Sequence, residues 1–275
     1  VGAAFGCAIE EQEVGRMNVC LKASKFLVLA AFLALATPLN AANSVPPGTI
    51  LPVRLDSTIS SAKNHPGQIV AARVMQDVPL VDGSTIHAGS KIVGHIVAVT
   101  PRSSATAASV TVRFDMLQWK QQKTPIVTNL RAVASFMAVD QAQVPMEGPD
   151  RGTPASAWTT EQIGGDTVYR GGGPVEGIAG GTVGVPVENG VLSRLNANPD
   201  GGCRAAVDAN DTPQALWVFS SNACGAYGLA NLQVGHFGRT HPAGDIVFGS
   251  TKGDVNVQHG SGMLLRVDGV GDSGA

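Results

Sequence analysis

Lys91–Thr100 (KIVGHIVAVT) and Ser109–Trp119 (SVTVRFDMLQW) decide the fold class. In the second stretch Val110, Val112, Phe114 and Met116 fall on one side, and Thr111, Arg113 and Asp115 on the other. Period-two alternation of this kind is the mark of a half-buried strand in an antiparallel sheet. In the first stretch Ile92, Gly94, Ile96 and Ala98 alternate with Val93, His95, Val97 and Val99. Gln121, Gln122 and Lys123 then turn the chain into a further run, Pro125–Ala134. Working back, Thr49–Leu55 (TILPVRL) and Ile69–Gln76 (IVAARVMQ) are two more candidate strands. Pro66-Gly67, Asp82-Gly83 and Ala88-Gly89 supply turns between the runs. The pattern predicts an antiparallel meander over 45–135.

Beyond it the composition changes. Residues 140–200 are rich in Gly, Pro and small polar residues. Such a stretch buries little apolar area per residue, so ordering it is costly. It is expected to be a long flexible insertion, with Trp158 and Tyr169 as candidate partner contacts. Its glycine runs lack the Lys-Ser/Thr of a phosphate-binding loop. Residues 201–268 return to strand-like runs: Ala215–Ser220, Leu232–His236, Asp245–Gly249, Asp254–Gln258 and Met263–Asp268. The fold class expected is all-β, an antiparallel barrel or sandwich carrying the Gly/Pro-rich insertion.

The leader sets the expected compartment. From Met17, Lys22 and Lys25 precede an uncharged apolar run, Phe26–Ala36, and Leu39-Asn40-Ala41 offers a small residue for cleavage. That layout, over 17–41, is a helical secretory signal peptide. Residues 1–16, with Glu10, Glu11 and Glu13, read as a mis-called extension ahead of it. The alternative is an uncut segment that anchors the chain in the inner membrane. Cys203 and Cys224 remain after the leader, and an even pair in an exported chain reads as a disulfide. A loop of that length stabilises by ~3 kcal/mol on the chain-entropy model. Periplasmic or outer-membrane-associated localisation follows.

Charge and motif content narrow the function. The formal net charge is −2, with no basic stripe to suggest a nucleic-acid partner. Aromatics make up 5%, too few for the girdles of a self-contained outer-membrane barrel. The chain has no GxSxG elbow and no paired carboxylates placed for acid–base work. Asp208, Asn210 and Asp211 cluster, but without the glycine and closing glutamate of an EF-hand. His65, His87, His95 and His259 are scattered singly, and His236 and His241 lie five apart. No cofactor, metal or catalytic residue is therefore assigned, and a non-enzymatic role is expected.

Gly48–Leu55 (GTILPVRL), Ile59-Ser60-Ser61, Pro66-Gly67-Gln68, Gln76-Asp77-Val78, Ile86–Lys91 (IHAGSK) and Gly94-His95 follow one another in an order with a parallel elsewhere. The stretch from about 48 to 99 resembles the C-terminal β-barrel domain of TrbI-type conjugal-transfer proteins, the outer-membrane-complex subunits of type IV secretion machines. His87 stands where that family usually has Pro, and Asp254–Val267 is similar to its closing strand. The resemblance implies a barrel and an envelope scaffold or interaction module, with envelope proteins or further copies of the chain as partners and association with the outer membrane. The family's Pro-rich arm and paired pore helices have no counterpart here. Two alternatives stay open: a periplasmic glycan- or polymer-binding protein, supported if Trp158, Trp217 or Tyr227 lines a groove, and a hydrolase with an unrecognised site.

Overall fold

A computed structural model describes residues 44–146, 153–196, 199, 203, 212–239 and 241–270. The leader and the Asp208, Asn210 and Asp211 cluster lie outside the described residues. The first group of strands is β1 (Ile50–Leu55), β2 (Ile59–Ser60), β3 (Ile69–Val74), β4 (Val78–Pro79), β5 (Thr85–Ile86), β6 (Lys91–Thr100), β7 (Ser109–Trp119), β8 (Gln122–Pro125) and β9 (Val127–Ala134). A short helix, Phe136–Gln141, follows. Then come β10 (Thr159–Glu161), β11 (Thr167–Tyr169), β12 (Val175–Glu176), β13 (Thr182–Val187), β14 (Gly190–Ser193) and β15 (Gln214–Ala215). The last group is β16 (Gly225–Tyr227), β17 (Leu232–Gln233), β18 (Ile246–Ser250), β19 (Asn256–Val257) and β20 (Gly262–Gly269).

The all-β class holds. The main sheet runs β16-β9-β20-β1-β3-β6-β7-β18-β17, with β8 also on β7. Its pairings are antiparallel except β16 on β9. Among the described residues, strand pairing does not close it into a barrel. The nearest approach is where β8 passes through Ile126 into β9: Ile126 N donates to Asp115 O at 2.9 Å, and Thr128 Oγ1 to Phe114 O at 2.8 Å. The sheet therefore curls tightly around one core. Leu51, Val53 and Leu55 of β1, Ile92 and Ile96 of β6, Phe114 of β7 and Met263 and Leu265 of β20 are fully buried there. Each such side chain contributes ~1.5–3 kcal/mol by leaving water.

Bulges correct two details of the alternation. The ladder of β6 with β7 shifts register between Val93 and Gly94, and again between Ile96 and Ala98. An extra residue turns every later side chain to the opposite face. Met116 is consequently only half-buried, and Leu117 and Trp119 take the core side. Ala98 likewise points out. Gly94 sits at the first shift, where a Cβ would meet Phe114 Cα at 2.8 Å. The β7–β8 turn is Lys120-Gln121, both at positive φ, one position earlier than the sequence suggested.

The largest departure lies in 140–200. Instead of a loop, Thr159–Ser193 form the successive antiparallel strands β10 to β14, and β15 completes a six-stranded meander. The glycines that read as flexibility are turn residues: Gly180 and Gly181, between β12 and β13, both take positive φ. A second core backs this meander. Ile163, Val168, Val175, Val191, Leu216 and Phe219 pack with Ile50, Ala132 and Leu264, which face outward from the curl. One face of β9, β20 and β1 thus fills the curl, and the other carries the insert.

Ala215–Ser220 is not the strand expected. After β15 the chain turns, with Phe219 N donating to Leu216 O at 2.8 Å and Trp217 at φ 53°. A bulky residue in that conformation is strained unless its surroundings hold it. The amide of Gln76 holds it. The Gln76 side chain is fully buried; its Oε1 accepts from Trp217 N at 2.7 Å and Val191 N at 3.2 Å, and its Nε2 donates to Val191 O at 2.8 Å.

Candidate functional site: a cationic groove between curl and insert

The insert does not lie flat on the curl. Between the outer face of β1 and β3 and the insert is a cavity of about 860 Å3. Its walls include Arg54, Arg73, Trp158, Arg170, Glu188 and Trp217. One rim is the two-residue hairpin turn Glu188-Asn189 between β13 and β14, closed by the Val187–Gly190 pair. Asn189 has φ 59°, a conformation that its short polar side chain tolerates.

Trp158 precedes β10 and stands half-buried in the wall. Its Nε1 donates to Thr153 O at 3.1 Å, which fixes the ring, and its carbonyl accepts from Arg170 N at 3.0 Å. Arg170 follows β11; its Nε donates to Thr160 Oγ1 at 3.1 Å. It has no ion pair among the described residues, and partial burial pulls its pKa below the ordinary arginine value. Arg73 pairs with Asp56 through Nε at 2.9 Å. Arg54, directly opposite Arg73 across the β1–β3 ladder, is exposed and has no ion pair among the described residues.

The sequence-predicted residues separate. Trp158 and Trp217 reach the groove, although Trp217 is only 4% exposed and serves as wall more than as contact. Tyr169 does not line it. Its ring is 38% exposed and its hydroxyl donates to Glu176 Oε2 at 3.3 Å, and the negative charge of Glu176 holds the phenol above its usual pKa. Tyr227 borders a different cavity of about 460 Å3, and its hydroxyl accepts from Cys224 N at 3.0 Å.

Cys203 and Cys224 form the expected disulfide, buried, with Cα atoms 5.6 Å apart. Nearby lies a residue that no motif marked. Arg131 of β9 is fully buried and donates through Nε to Ala223 O and through Nη2 to Asn196 O, both at 2.9 Å. Carbonyls satisfying a buried guanidinium make it a strut between the curl and the insert. Asp77, just before β4, accepts from Ala88 N at 2.8 Å. That bond, with His87 alongside, holds its carboxyl below the usual range. No group of three or more His, Cys, Asp or Glu placed to hold a metal occurs among the described residues. No helix among them is long and apolar enough to cross a membrane.

No family model, curated protein or solved structure matches this chain.

Proposed function

We propose that the chain is an exported binding protein that takes an extended glycan or similar polymer in the groove and acts by holding it. The supporting observation is that Trp158 and Trp217, which are 59 positions apart in sequence, line one open cavity together with guanidinium donors. A concave site with aromatic walls and a few polar groups is the usual form of a ligand site. The buried disulfide supports export, since such bonds persist in oxidising compartments. The test is affinity electrophoresis of the full chain through gels cast with soluble polysaccharides. Retardation by at least one polymer, abolished in Trp158→Ala, is the expected result. Unretarded migration in every gel would sink the reading.

A second reading has its own support. Phe136, Met137, Val144 and Met146, on and just after the short helix, are all large apolar side chains left exposed. A patch of this kind suits an interface, as in an envelope scaffold or interaction module similar to the TrbI-type barrel. A discrete assembly in native mass measurement, dispersed by Met137→Asp, would favour that reading over the monomeric binder.

A further inference from the structure

Charges on neighbouring strands usually alternate in sign, because like charges directly opposite each other repel. The curl breaks this habit on the face beside the groove. Arg54 of β1 is directly opposite Arg73 of β3, and Arg73 is directly opposite Lys91 of β6. All three side chains point outward and are exposed. Three cations thus stand in a row across three strands of a chain whose net charge is −2. Asp56 on Arg73 is the row's only ion-pair partner among the described residues. Two members of the row line the groove, and Arg170, half-buried and unpaired by any acid among the described residues, lines it as well. A guanidinium held partly out of water without a carboxylate is a cost that an anionic ligand would offset.

We infer that the groove takes an anionic glycan, a sugar chain bearing carboxylates. This rests on the groove being a polymer-binding site, as proposed above. The chain crosses the strands along the row. Strand spacing of ~4.8 Å sets the repeat of the cations, and a polymer with one carboxylate per sugar ring presents anions at a comparable repeat. Arg170 binds a carboxylate from the insert side through the guanidinium nitrogens that Thr160 leaves free. Trp158, its indole edge fixed by Thr153, offers its face to the apolar side of a ring. Glu188, the acid in the wall, excludes a chain in the wrong register by repulsion.

Calorimetric titration of the full chain with polygalacturonate, its fully methyl-esterified counterpart and oligothymidylate tests this. The inference expects binding of polygalacturonate that weakens steeply as salt rises, and at least ten-fold weaker binding of the ester. Arg170→Gln should weaken binding roughly ten-fold or more. Arg54→Gln, at an exposed position with no ion pair among the described residues, gives a second readout should the first variant fail to fold. Equal binding of acid and ester would overturn the charge assignment while leaving the polymer groove standing. Equal binding of oligothymidylate would overturn the carbohydrate class. Binding of none of the three, with retardation by a neutral polysaccharide, would overturn the anionic inference alone. Failure with every polymer would remove the groove reading itself.

Discussion

The curl and the insert are both β-sheet, but they are held in different ways. In the curl, β6 and β7 run for ten and eleven residues, and long stretches of alternating side chains specify their own register. In the insert, β10, β11, β12 and β15 have three residues or fewer. A strand that short specifies little by pattern, and two-stranded pieces of this size are marginal in water. What gives the insert its shape is attachment. It shares an apolar core with the outer face of the curl, and buried polar side chains reach across: Gln76 to Val191 and Trp217, and Arg131 to Asn196 and Ala223. A periodic sheet carries its instructions locally; an attached sheet depends on a few distant contacts. The groove lies where the two meet, so its geometry depends on those contacts.

Gln76→Leu is the most direct way to break this difference. Leucine fits the apolar surroundings but takes the Gln76 acceptor from Val191 N and Trp217 N, and leaves Val191 O with only its bond from Leu216 N, all within the insert. Two buried N–H groups deprived of that acceptor cost about 4 kcal/mol together. The loss should fall on the insert: near-ultraviolet signals from Trp158 and Trp217 should melt first in urea, while the far-ultraviolet β signal of the curl persists. A single transition for both signals, at the wild-type midpoint, would show that the pin does not matter and that the insert is as self-sufficient as the curl.

The disulfide sharpens the same comparison from the other end. Cys203 and Cys224 are 21 residues apart and close a loop beside Arg131. Replacing both with Ser should lower stability by about 3 kcal/mol, because the unfolded chain regains loop freedom. Amide exchange should then rise across β14, β15 and the turn containing Trp217, and little across β6 and β7. Uniform acceleration through both sheets would mean that the two open as one unit.

How much of this was legible in the sequence follows the same division. β1, β3, β6, β7 and β9 were readable because each is an apolar-rich run bounded by turn residues, with alternation added in β3 and over most of β6 and β7. The bulges that turn Met116 outward and Leu117 inward were not, since a one-residue shift leaves no mark in composition. The insert misled because glycine content is ambiguous: the same residues serve a disordered chain and a meander of tight turns. Val168, Val175 and Val191, each fully buried, and the alternating Val183, Val185 and Val187 of β13 hinted at strands, but Gly or Pro stands beside most of them. Of the groove, Trp158 was legible as an aromatic in a polar stretch. The row Arg54, Arg73 and Lys91 was not, because its members come together only once the register of β1, β3 and β6 is known. Arg131 resembles any other basic residue until its burial is seen.

The smallest effect concerns acid, and its sign differs between the regions. His236, on the curl side, accepts from Val247 N through Nε2 at 3.2 Å, which requires the neutral ring. Burial, with Arg239 nearby, pulls its pKa below the ordinary value of 6.5. The unfolded chain therefore binds the proton more readily, and this contribution to stability is present above pH ~6.5 and fades as the pH falls toward the folded-state pKa. Asp166 of the insert is the reverse case. Burial raises its carboxyl above 3.8, although Ser221 N donates to its Oδ2 at 2.6 Å. The folded state then holds the proton more tightly, so this contribution is fully present below pH ~3.8 and is lost as the pH rises through the raised value. Urea midpoints of wild type, His236→Gln and Asp166→Asn between pH 4 and 8 separate the two. His236→Gln should flatten the decline between about pH 6.5 and 5. Asp166→Asn should gain stability at neutral pH relative to wild type, by less than about 1 kcal/mol, and lose that advantage on acidification. The same slope in all three proteins would mean that neither group titrates differently on folding. A reversed sign for Asp166 would mean that its bond from Ser221 outweighs its burial, making it another pin of the insert.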